Sequence, residues 1–184
     1  MAEDRDIVEL LLEEHREFRE LFEELEAAAR DEREELFRYT VARLASHEAA
    51  EEAVVHRTVR DDVPSGQAVA EAVLAEEDSA EHLLAEMADM DPTSDEFMES
   101  LGRLRDDVVE HAGHEERDEF PLIREHVDAE RRREMGRRFQ QLRDSGPTRP
   151  HPGTPQQPET RAAAGPIVGA FDRARDAARN VFAD

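Results

Sequence analysis

The chain contains no cysteine, no tryptophan and no lysine, and only 5% of its 184 residues are aromatic. Without cysteine there can be no thiolate metal site, thiol nucleophile or disulfide framework, so His, Asp and Glu are the only strong metal ligands left. Long apolar runs are also missing: none approaches the roughly 20 residues of a membrane span. The N-terminal "MAEDRDIVELLLEEH" has neither the basic region nor the cleavage site of an export signal. The expectation is a cytoplasmic protein without a membrane anchor. Positive charge is scarce, with 24 basic residues, all Arg, against 47 acids and a net charge of -23. Such a surface repels phosphate backbones and anionic lipid, which argues against nucleic acid or membrane as partners.

What is present is helical periodicity. Apolar residues recur at steps of three and four through most of the first 143 positions, and no segment alternates as a strand does. Helices are expected from near Asp4 or Asp6, after Asp31, from about Ala68 to Met90, and from Phe97 onward, with Thr93 and Glu96 spaced as a capping box. Pro121 is expected to kink or end the fourth. A fifth, "DAERRREMGRRFQQL", looks short and rich in solvent-facing residues. The fold class that follows is all-α: an antiparallel up-down four-helix bundle over residues 1–143 with a short fifth helix. Residues 144–166 hold six of the nine prolines and form a linker unable to bury a core. Residues 167–184 form a short amphipathic helix bearing Ile167, Phe171, Ala174, Ala178 and Val181, which either rests on its own domain or is captured by a partner protein.

The apolar stripes are interrupted by polar residues at matching depths. The first stripe runs Ile7, Leu11, His15, Phe18, Phe22, Leu25; the second Phe37, Thr40, Leu44, His47, Glu51, Val55, Thr58; the fourth Phe97, Leu101, Leu104, Val108, His111, Glu115, Leu122. His114 falls on the solvated row of Ser100, Arg103, Asp107, Glu110 and Arg117, so the alternative pair His114 with Asp118 has ligand spacing on the wrong face. Sliding "HEAAEEAVVH" by 64 positions onto "HAGHEERDEF" matches His47 with His111 and Glu51 with Glu115, and sets His56 opposite Phe120. His15 precedes His47 by 32 residues and His82 precedes His111 by 29, so each half offers one His-bearing helix and one H-x-x-x-E helix. His82 sits at the edge of its stripe and enters the set through this symmetry.

Burying four imidazoles and two carboxylates without a cation or hydrogen bonds would cost several kcal/mol each. His15, His47, Glu51, His82, His111 and Glu115 are therefore the candidate metal ligands. Two carboxylates from facing helices can bridge two cations while imidazoles complete each half, and the donor set suits iron or manganese, zinc less specifically. No histidine follows a Glu by three residues, which excludes the ferritin-like E-x-x-H signature, and "HEAAE" is not H-E-x-x-H.

This arrangement resembles the H, HxxxE, H, HxxxE pattern of the hemerythrin-like HHE cation-binding domains over about residues 4 to 127, and "EERDEFPLI" resembles the ending of their fourth helix. The Pro-rich segment and "FDRARDAAR" are similar to the C-termini of actinobacterial members. The resemblance implies a cofactor of two iron ions, a non-haem di-iron centre that takes O2, hydrogen peroxide or NO. Peroxide decomposition or a stress response is the leading function, and iron or oxygen sensing without turnover the alternative. Oxygen carriers of the family have H-x-x-x-H on the third helix; Glu86 stands at that position here, which argues against reversible oxygen transport. Glu86 itself is a seventh ligand, an outer acid or a surface residue, and His56 and Tyr39 are candidates for groups behind the ligands.

Overall fold

The computed structural model describes residues 4–87 and 90–146, and these are helical with no strand among them. Of the linker expected over 144–166 only residues 144–146 are described, α7 running on through Ser145; the rest of it and the C-terminal helix expected over 167–184 lie outside the described residues. Four rods build the bundle. The first is α1 (Ile7–Ala27). The second runs continuously through α2 (Arg30–Glu51), a π-helical turn (Glu52–His56) and α3 (Arg57–Asp62). The third is α4 (Gly66–Met87). The fourth joins α5 (Asp95–His114), a second π-helical turn (Glu115–Glu119) and α6 (Phe120–His126). Finally α7 (Ala129–Ser145) packs against α1 and α2.

Local chemistry sets the boundaries. The Asp6 carboxylate accepts from Val8 N–H and caps α1. The cap of α5 is Ser94, one residue later than the capping-box spacing indicates. The Thr93 hydroxyl is occupied by the Asp91 carboxylate, leaving Ser94 to accept from Phe97 N–H. Pro121 does not end the fourth rod. It enters the first turn of α6 directly after the π turn, where its missing N–H costs the ladder least.

The fifth helix is longer and better anchored than its polar sequence indicates. Phe139 and Met135 are buried, and Gly136 lets the backbone close on α1: a Cβ there would stand 2.3 Å from the Arg5 carbonyl oxygen. Arg132 and Arg143 fasten the helix to Asp6 and Glu14 of the α1 rod.

The core is divided in two. Phe18, Phe22, Leu25, Phe37, Leu44, Phe97, Leu101 and Leu104 fill one end, and Ile7, Leu11, Val55, Val59, Phe120, Ile123 and Phe139 the other. Each fully buried side chain of this size contributes roughly 1.5–3 kcal/mol. Between the two apolar clusters lies a polar layer.

Candidate metal centre

The layer begins with His15, one turn past Leu11 and one before Phe18, in the seam where α1 faces α5 and α2. It is 3% exposed, and His47, Glu51, His56, His111, Glu115 and Glu119 are buried with it. Phe120 stacks on the His15 ring at 5.6 Å, while Phe18 and Phe139 meet His47 edge-on at 4.9 and 5.7 Å. These rings pack around the imidazoles and leave little room beside them.

In each of four imidazoles, Nδ1 is engaged by an outer carboxylate. His15 Nδ1 lies 3.0 Å from Glu116, His47 Nδ1 2.9 Å from Glu14, His111 Nδ1 3.2 Å from Glu76 and His56 Nδ1 3.0 Å from Glu119. Every Nε2 is thereby turned toward inner acids. His47 Nε2 stands 2.9 Å from Glu51; Glu115 lies 3.4 Å from His15 Nε2, 3.3 Å from His111 Nε2 and 3.6 Å from His56 Nε2. A carboxylate fixing Nδ1 is how proteins orient an imidazole whose Nε2 ligates a metal.

The inner acids are the less satisfied partners. Glu51 and Glu115 are fully buried, yet none of their four oxygens accepts a well-aligned hydrogen bond; Glu48 Oε2 and His111 Nε2 share that condition. Ligand atoms of His15, His47 and Glu51, of Glu48, Glu77 and His111, and of His56, Glu115 and Glu119 form three groups, each within 4.8 Å internally. Buried oxygen and nitrogen donors that converge, those of Glu51, Glu115 and His111 Nε2 among them without an aligned hydrogen bond, fit a hard or borderline cation.

Protons on the imidazoles offset part of the negative charge in the layer. Burial opposes the imidazolium forms of His47, His56 and His111. Glu51 and Glu14 around His47, Glu119 and Glu77 around His56, and Glu115 and Glu76 around His111 outweigh it and hold all three well above the ordinary histidine range. Burial likewise disfavours the Glu51 carboxylate, but His47 prevails and pulls it down to about 2. Glu48 moves the other way: burial and the neighbouring Glu77 push its carboxyl well up.

Of the six ligands expected from sequence, His15, His47, Glu51, His111 and Glu115 converge in this layer. His82 does not. Its side chain is 57% exposed, with Nδ1 against the Asp78 backbone carbonyl, because the inward face of α4 at this depth belongs to Glu77. Glu86 is exposed and lies outside these groups, and Tyr39 is 53% exposed. His114 is half-buried at the rim, bound to Glu76, while His111 points in.

Glu14, Glu48, Glu77 and Glu119 escaped sequence reasoning because nothing distinguishes them among 47 acids. His56, expected only as a group behind the ligands, lies in the layer itself; the 64-residue repeat sets it opposite Phe120, which the structure buries against His15.

The hemerythrin HHE cation-binding domain family matches residues 6–123. The chain belongs to that family. It is also similar to an uncharacterised hemerythrin-like protein of Schizosaccharomyces pombe, 26% identical over 134 residues, which are 72% of this chain and 66% of that protein. No solved structure matches. Metal binding by a helical bundle is thus supported by both the family and the buried His/Glu groups.

Proposed function

We propose that this hemerythrin-like domain holds two iron ions between His15, His47 and Glu51 on one side and His111 and Glu115 on the other, and that it decomposes hydrogen peroxide. The observation that carries the reading is the pair of fully buried carboxylates, Glu51 and Glu115, with inward imidazole nitrogens and no aligned hydrogen bonds. The iron pair, when bound, supplies Lewis acidity and exchange of electrons with an oxidant.

The chain's own residues provide the rest. Glu14, Glu76 and Glu116 lock the ring orientations of His47, His111 and His15. A narrow cleft lined by Phe18, Val108 and Ala112 leads to His15, His47, Glu48 and His111, which suits a ligand the size of peroxide, O2 or NO. Glu48 lines that cleft with its Oε2 3.8 Å from His111 Nε2, so its carboxyl is placed to exchange a proton with an incoming molecule.

Oxygen evolution after adding peroxide to the iron-loaded chain tests this reading, the expected result being sustained release that His111→Ala removes. No release from a chain that does hold iron would favour a second reading, an iron- or oxygen-sensing module without turnover. That reading has its own support, since orphaned buried acids make the stability of the domain depend on its cation.

A further inference from the structure

We infer that His56, paired with Glu77, supplies the fourth imidazole of the metal centre, in the place that the symmetry of the chain would give to a histidine on α4. The inference rests on the binuclear reading and changes its ligand set.

His56 is built like the other three imidazoles. It is 1% exposed, its Nδ1 is held at 3.0 Å by both Glu119 oxygens, and its Nε2 faces Glu77 at 2.7 Å and Glu115 at 3.6 Å. The Glu115 oxygen that His56 faces is the same Oε1 that lies 3.3 Å from His111 Nε2, so both nitrogens border one volume. A histidine kept only as a core ion pair needs no such shared acid.

The internal repeat explains the exchange. His47 and His111 are 64 residues apart, as are His56 and Phe120, and Glu77 follows His15 by 62. In one half, an imidazole from α1 lies on an aromatic ring from the fourth rod, His15 on Phe120. In the other half, a carboxylate from α4 meets an imidazole from the second rod, Glu77 and His56. The imidazole has moved from the first member of the pair to the second.

The π turn Glu52–His56 makes the move possible. Five residues of α-helix would rotate His56 about 140° from Glu51, but one extra residue in the turn reduces this to about 40°, onto the same face. α4 then needs no inward histidine, and His82 faces solvent.

The test uses the full chain labelled with 15N-histidine and titrated with zinc ion alone, the ring nitrogens being followed by long-range proton–nitrogen correlation. Expected are metal-induced shifts at Nε2 of His15, His47, His56 and His111 by two equivalents, with His82, His114 and His126 unmoved. In His56→Gln the second equivalent should bind at least tenfold more weakly, with no change in His82→Gln. If His15, His47 and His111 shift while His56 stays, this inference is overturned and the binuclear reading survives. If no histidine shifts, both are overturned. The wild-type titration decides the matter even if His56→Gln fails to fold.

Discussion

The two nitrogens of each imidazole in the polar layer have separate tasks, and substitutions there divide accordingly. Removing His111 takes away an inward Nε2 and leaves Glu115 with one contact fewer. His111→Ala should therefore abolish the absorption of a binuclear iron centre. His114→Ala, which removes only a rim contact to Glu76, should keep it. A visible spectrum of each iron-loaded variant checks the pair, and the reverse pattern would mean that the wrong helix face has been assigned. At this scale the sequence placed His15, His47, Glu51, His111 and Glu115 in the buried layer, because each interrupts an apolar stripe. It misplaced His82, because symmetry of spacing is not symmetry of residue type: the position on α4 that corresponds to His15 carries Glu77.

Elements matter through their register. A strict α-helical walk from Glu115 arrives at Leu122, whereas the structure buries Phe120 and Ile123, one residue on. The extra residue of each π turn accounts for the slip, and periodicity of three and four cannot show it. Element existence was legible, with α1, α2, α4 and α5 all signalled by amphipathic spacing, but the continuation of the fourth rod through Pro121 was not.

The contribution of α7 was also hidden, since its many arginines mask a buried face of Met135, Gly136 and Phe139. Gly136→Ala should force α7 away from the Arg5 carbonyl and lower the unfolding free energy by on the order of 1–3 kcal/mol. Chemical denaturation measures this; an unchanged midpoint would show that α7 docks more loosely than described.

For the molecule as a whole, the polar layer is large against a net stability of about 5–15 kcal/mol, because each buried carboxylate costs several kcal/mol to desolvate and its imidazole contacts offset that only in part. Protons fill part of the cation's role when metal is removed. His47, His56 and His111 have raised folded-state values, so their contribution is complete below the ordinary histidine value and is lost as pH rises through the raised ones. Glu51, lowered to about 2, contributes above the ordinary carboxylate range and ceases to do so as pH falls toward that value. The metal-free chain should accordingly melt progressively lower as pH is raised past the neutral range, while the iron-loaded chain holds its melting temperature. Thermal melts at a series of pH values with and without a chelator test this, and parallel curves would contradict it. The remaining surface is strongly acidic, and among the described residues no helix is long and apolar enough to cross a membrane.

The most direct test is iron per chain, determined by mass spectrometry after anaerobic reconstitution of the full chain and removal of excess metal. Two ions per chain is the predicted result. Fewer than two would contradict a binuclear centre, and none would leave the convergence of buried imidazoles and carboxylates without its explanation.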